Sequence, residues 1–305
     1  MWEKVCELSN TIKISLSNSA LDRFAQCPLC YYHTYLDPSR PKQEGVNDFY
    51  ANYGTLNHFF AEMYPRTNFY MDLEWKDNKE RKEENIDNIL NSYGNLLMEQ
   101  KVVLDVPKMV AIYDEMFPLI NFPKEETRDE YYKQGLAFIE RLPEMDWTKV
   151  IGIEKYFRLE LQEGMAPITG VIDLVERDEQ GIIVTDYKTS KPYSLNATMQ
   201  KNQLPMYGLA CYMLYGEFPY KYRYHFTRFN KTVEVEIPIE RLQQVKNIIV
   251  FRYMQILSNH NQGKFPAQYQ DFYCKNFCGY SRLCPTFKAF NPPSNVESDN
   301  VGNKA

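Results

Sequence analysis

From Lys149 the apolar residues stop recurring at helical spacing and begin to alternate or run in short β-branched stretches. KVIGIEKYFRLEL (149–161), APITGVIDLVERD (166–178) and GIIVTDYKTS (181–190) predict three consecutive strands, the last two joined by the turn-forming DEQG. NATMQKNQLPMYGLACYMLYG (196–216) returns to helical periodicity, interrupted only by Pro205. YKYRYHFTRF and KTVEVEIPI read as two more strands, and a helix is expected from about Glu240 to His260. The order helices, three strands, helix, two strands, helix implies an α/β fold, a mixed sheet flanked by helices.

Before Lys149 the chain reads as helical. Ser17 or Asn18 can cap a helix through Leu21 and Phe24 to about Cys27, where Pro28 interrupts it. GTLNHFFAEMY opens another helix at Gly54, and the charged stretches near 77–100 and 127–142 complete a helical lobe over 54–145. The expected layout is a single domain over 1–290: an N-terminal helix at 17–36, the lobe, a core at 149–260 and a C-terminal segment at 270–290. A polar tail, 291–305, is expected to be disordered.

Composition changes this picture little. Of the 305 residues, 44% are hydrophobic and 25% charged, as in ordinary globular proteins. No apolar run reaches membrane-spanning length, and the N-terminus lacks the apolar core of a secretory signal. Seven cysteines without such a signal suit a reducing cytoplasm. The net charge of −5 does not by itself suggest nucleic acid, but residues 186–231 carry seven basic against two acidic residues, interleaved with eleven Tyr and Phe. Such a stretch suits a single-strand channel equally with a solvated strand face over a mixed core.

Asp173 falls in mid-strand between apolar neighbours, and Asp186 and Lys188, two apart, share one strand face. Buried aspartates are expensive unless they are paired or bind a cation, and hard oxygen ligands suit Mg²⁺ or Mn²⁺. Gln203 and Tyr207 share a helix face, as do His58 and Glu62. Glu154 opens the first strand either as a further acidic member or as a surface charge.

The succession G-x-x-D (170–173), D-x-K (186–188), Q-x-x-x-Y (203–207) and an upstream G-x-x-x-H (54–58) resembles the PD-(D/E)XK nuclease superfamily, in its RecB-like branch. The resemblance implies a restriction-endonuclease-like core and a metal-dependent DNA nuclease. Asp173, Asp186 and Lys188 would be catalytic; His58, Asp173, Asp186 and the Tyr187 carbonyl would hold metal; Gln203 and Tyr207 would position DNA. An exonuclease acting on single-stranded ends is expected, serving recombination, repair, replication or CRISPR adaptation. Its partner, a helicase or recombination protein, would be a separate chain. The alternative is a non-catalytic DNA-end or adaptor subunit on the same fold.

Cys274, Cys278 and Cys284 are spaced C-x3-C-x5-C-P, and Cys27 and Cys30 stand far upstream in FAQCPLCYYHTYL; Cys6 and Cys211 are isolated. Four thiolates suit a 4Fe–4S cluster or structural Zn²⁺, and spacing alone leaves that choice open. The resemblance extends to AddB-type helicase–nucleases and CRISPR-associated exonucleases. It implies a 4Fe–4S cluster on Cys27, Cys274, Cys278 and Cys284, with Cys30 as the alternative to Cys27, joining the two ends of the chain.

Overall fold

The computed structural model describes residues 14, 16–44, 48–73 and 86–291. Cys6, the start of the expected 77–100 helix and residues 292–305 of the expected tail lie outside them. The chain forms two compact units, one from residues up to 18 and 47–254, the other from 19–46 and from 255 onward.

The first unit is built on one five-stranded sheet, ordered β1 (Val150–Leu159), β2 (Ile168–Asp178), β3 (Gly181–Lys188), β4 (Lys221–Phe226) and β5 (Lys231–Val235). β1, β2 and β3 meander antiparallel; Asp178 pairs with Gly181 across the expected turn. β3 and β4 are parallel, so the chain must cross over between them. The crossover is helical, a short turn (Leu195–Gln200) followed by a longer helix (Gln203–Tyr215). The interruption expected at Pro205 sits instead at 201–202. Pro205 lies in the first turn of the second helix, where a backbone N–H would have no intrahelical partner in any case.

The lobe comprises helices Phe49–Phe69, Ile86–Glu99, Val106–Met116 and Glu125–Arg141. The third was not anticipated, although Asp105 caps it by accepting from the Lys108 N–H and Pro107 stands in its first turn. The lobe is no separate body: Phe60, Tyr113, Phe138 and Trp147 share one apolar core with Ile153, Leu174 and Tyr187 of the sheet. Leu174 pairs with Thr185 and therefore occupies the sheet face opposite Asp173. The basic and aromatic stretch 186–231 largely resolves into strand alternation. Tyr222, Tyr224 and Phe226 are buried, while Arg223 pairs with Glu176 and Glu234 on the other face.

The second unit contains helices Asn18–Gln26, Pro28–Tyr35, Asp271–Asn276 and Pro285–Phe290, and the chain enters it within the helix Ile239–Asn261. Pro28 ends one helix and starts the next, with Cys27 at the N-cap. Among the described residues, no helix is long and apolar enough to cross a membrane.

Candidate active site

For the elements that carry the site, helices are numbered in chain order: α1 (Asn18–Gln26), α2 (Pro28–Tyr35), α3 (Phe49–Phe69), α4 (Ile86–Glu99), α5 (Val106–Met116), α6 (Glu125–Arg141), α7 (Leu195–Gln200) and α8 (Gln203–Tyr215). α3 brings His58 to the end of β3, where its Nε2 lies 3.1 Å from the Tyr187 carbonyl oxygen. The opposite ring nitrogen, Nδ1, is 3.6 Å from Asp173 Oδ2 and 3.8 Å from Glu154 Oε1. His58, Glu154 and Asp173 each offer one ligand atom, all within 4.8 Å of one another, and form the one such group among the described residues. The structure therefore draws Glu154 into the cluster.

Register explains the meeting of the two carboxylates. Ile153 pairs with Leu174 and Lys155 with Ile172, so Glu154 stands opposite Asp173. Its backbone is left-handed, φ +46°, at a cost of about 1–3 kcal/mol. The other non-glycine residues with positive φ (Arg40, Lys101 and Asn230) stand outside helices and strands. Gly170 has a packing role: a Cβ there would lie 2.6 Å from the Phe157 ring, which packs edge-on against Tyr207.

Asp173 also accepts the Tyr187 N–H at 2.7 Å, which ties β2 to β3 at the site. Asp186, 1% exposed, is held differently. Its Oδ2 pairs with Lys188 Nζ at 2.6 Å and its Oδ1 accepts the Tyr207 hydroxyl at 3.1 Å. Gln203 donates to that hydroxyl and accepts from Tyr224, completing a chain Tyr224–Gln203–Tyr207–Asp186–Lys188. Tyr207 is thus buried with its hydroxyl on a carboxylate, and Gln203 is half-buried behind it.

Burial, with Asp186 and Glu154 nearby, pushes Asp173 up to about 8. Burial opposes charge on His58, but Asp173 and Glu154 outweigh it and push the imidazole up to about 9. Burial also works against the Lys188 ammonium, yet Asp186 holds it above its ordinary value. In this state the imidazolium supplies the positive charge that the carboxylates require. A divalent cation would supply it more strongly and displace the protons. The donor set fits such an ion: two carboxylate oxygens and one imidazole, reached through a cleft of about 680 Å³ lined by Gly54, Thr55, His58, Glu62, Asn88 and Glu154.

The second unit holds another donor set. Cys27, Cys30, Cys274, Cys278 and Cys284 line one apolar pocket with Leu29, Ala267 and Tyr280. Backbone N–H groups of Gln268, Gln270 and Phe287 donate to the sulfurs of Cys27, Cys274 and Cys284, each at 3.4 Å. Contact with Cys30 lowers Cys278, and with help from the Tyr280 backbone brings it to about 7. Contact with Cys30 also brings Cys27 to about 5. Cys30 faces sulfur, 3.2 Å from Cys278 Sγ, and its contacts with Cys27 and Cys278 push its thiol far up, so it keeps the proton. Cys211 is buried elsewhere, in α8.

Glu62 and Arg66 complete the surroundings. The two form an ion pair at 2.8 Å one and two turns beyond His58 on the same face of α3. Sequence reasoning missed Arg66, although the i, i+4, i+8 spacing of His58, Glu62 and Arg66 was the signal to use.

The chain is 28% identical over 204 residues to an ATP-dependent helicase/deoxyribonuclease subunit of Clostridium perfringens (strain SM101 / Type A), covering 61% of this chain and 16% of that protein. The counterpart from C. perfringens strain 13 is 29% identical with the same coverage. The chain thus spans about a sixth of the length of these relatives. A crystal structure named "Putative exonuclease", from Eubacterium rectale, covers 87% of this chain and 96% of its own, at 12% identity and a TM-score of 0.36. The family model of the PD-(D/E)XK nuclease superfamily matches residues 15–285, almost the whole of the described chain, and the chain belongs to that superfamily.

Proposed function

We propose that this chain is a deoxyribonuclease that hydrolyses phosphodiester bonds with Mg²⁺ or Mn²⁺, acting as an exonuclease on single-stranded ends. The observation that carries it is the convergence of His58, Glu154 and Asp173 beside Asp186 and Lys188, in a member of a nuclease superfamily. The C. perfringens relatives, named as a helicase/deoxyribonuclease subunit, support DNA as substrate and an unwinding activity as partner.

His58, through Nδ1, would hold the cation with Glu154 and Asp173, while the Tyr187 carbonyl at the opposite ring nitrogen orients the imidazole. When bound, such an ion polarises the phosphate and lowers the pKa of the attacking water. The mixed donor set, one imidazole among oxygens, favours Mn²⁺ over Mg²⁺. Lys188, kept charged and oriented by Asp186, neutralises charge that develops on the phosphate. Tyr207 and Gln203 keep Asp186 aimed at Lys188, so their role in placing DNA is exerted through the catalytic groups.

For the second unit we propose a 4Fe–4S cluster on Cys27, Cys274, Cys278 and Cys284. The five thiols line one apolar pocket, and four thiolates suit such a cluster. The Gln268 N–H that donates to its sulfur supports Cys27 as the fourth ligand.

The test uses anaerobically purified protein on DNA labelled at either end, single-stranded and duplex, with Mg²⁺, Mn²⁺ or EDTA. Metal-dependent shortening from one end, with EDTA blocking it, is the expected result. Internal cuts would replace the exonuclease with an endonuclease. Tight DNA binding without cleavage in either metal would overturn the enzymatic reading.

A further inference from the structure

The left-handed backbone at Glu154 is the one such non-glycine position inside a strand among the described residues, and it occurs at a member of the three-residue cation group. Strain of this kind persists only where the surroundings over-determine it. The peptide unit whose orientation sets φ at Glu154 includes the Ile153 carbonyl. That carbonyl accepts a hydrogen bond from Arg66 Nη2 at 2.8 Å.

Arg66 is 3% exposed and reaches β1 from α3, the helix that carries His58. Its Nε donates to Glu62 Oε1 at 2.8 Å, so the guanidinium is anchored on its own helix before it reaches the strand. The planar fork fixes both directions at once. A buried cation is a poor choice for filling space, since an apolar side chain of similar volume fills it as well. What the arginine adds is a rigid link between the helix bearing the imidazole and the peptide bearing the carboxylate.

We infer that Arg66, anchored by Glu62, is a positioning residue for the cation site: it holds the Ile153 peptide so that the Glu154 carboxylate stands with His58 and Asp173. The inference rests on the cation-dependent reading above. Groups that orient metal ligands without touching the ion typically change metal affinity about 10- to 100-fold.

The experiment measures Mn²⁺ binding by calorimetry without DNA, alongside the Mn²⁺ concentration that half-saturates DNA cleavage, for wild type, Arg66→Met, Arg66→Lys and Glu62→Gln. Arg66→Met is expected to weaken Mn²⁺ binding and raise the half-saturating concentration by about 10-fold or more. Cleavage at saturating Mn²⁺ should fall much less. Arg66→Lys, able to make one of the two contacts, should recover part of the affinity, and Glu62→Gln should lie between it and wild type. If Arg66→Met does not fold, Arg66→Lys and Glu62→Gln carry the same comparison. Wild-type Mn²⁺ affinity in the folded variants, with only thermal stability lowered, would overturn the inference. A wild-type protein that neither binds Mn²⁺ nor cleaves DNA would instead overturn the function on which it rests.

Discussion

In the first unit the candidate ligands come from the middle of a helix and two paired strands, and His58 and Asp173 are tied down by hydrogen bonds to β3. In the second, five thiols come from short helices, their N-caps and a turn near the two ends of the chain, and backbone N–H groups donate to three of them. In the first, hydrogen bonds within the protein hold His58 and Asp173 in place, and His58 faces the carboxyl groups that raise its pKa. The second brings five thiols, two of them (Cys27 and Cys278) with lowered pKa values, together around a pocket that an inorganic core would fill. A preassembled site should lose function and keep its fold when a ligand is removed. A site built around its cofactor should lose fold as well.

The largest expected effect is on the preassembled side. Asp173→Asn keeps an acceptor for the Tyr187 N–H but removes a charge, and cleavage of labelled DNA should fall by about 10³-fold or more. Its melting temperature and iron content should stay at wild-type values. A matching loss of iron would mean that the two sites are not independent.

Next comes the thiol side. Cys27→Ser should lower iron content and the broad visible absorption of the cluster, and should cut the melting temperature by roughly 10 °C. Cys30→Ser should leave all three unchanged. The opposite ranking of these two variants would transfer the fourth ligand to Cys30.

A smaller effect follows from protonation. Asp173 at about 8 and His58 at about 9 both lie above their ordinary values. The metal-free folded chain therefore holds more protons than the unfolded chain between about pH 4 and 9, and its stability falls as pH rises through that window. Mn²⁺ competes for the same groups, and each displaced proton is worth about 1.4 kcal/mol per pH unit. Its stabilising effect should exceed that at pH 6 by roughly 5 °C at pH 8.5, read from melting curves with and without Mn²⁺. An equal shift at both pH values would place the ion elsewhere.

The smallest is Tyr207→Phe, which takes one hydrogen bond from a buried carboxylate. About a 10-fold loss of cleavage is expected with Mn²⁺ affinity nearly unchanged, because Tyr207 holds Asp186 rather than the His58 group.

Strand alternation alone was enough to place Asp173 on one face and Asp186 with Lys188 on a shared face, and the sheet order follows from the turn at DEQG and the helical crossover. Glu154 was ambiguous because a strand-opening glutamate is usually solvated; only the cross-strand register opposite Asp173 and its left-handed backbone distinguish it. The helical spacing placed Arg66 on the face of His58 and Glu62, but not its bond to a backbone carbonyl 87 positions away, of which side-chain pattern carries no trace. For the cysteines, spacing showed which thiols could meet, whereas the choice between Cys27 and Cys30 depends on N–H groups from residue 268, more than 200 positions on.

The central claim is that His58, Glu154 and Asp173 together hold the cation on which cleavage depends. Calorimetric titration of Mn²⁺ into wild-type protein and Asp173→Asn at pH 8 tests it most directly. Saturable binding with proton release is expected in the wild type, and its loss in a folded Asp173→Asn. Equal Mn²⁺ binding by both proteins would contradict it.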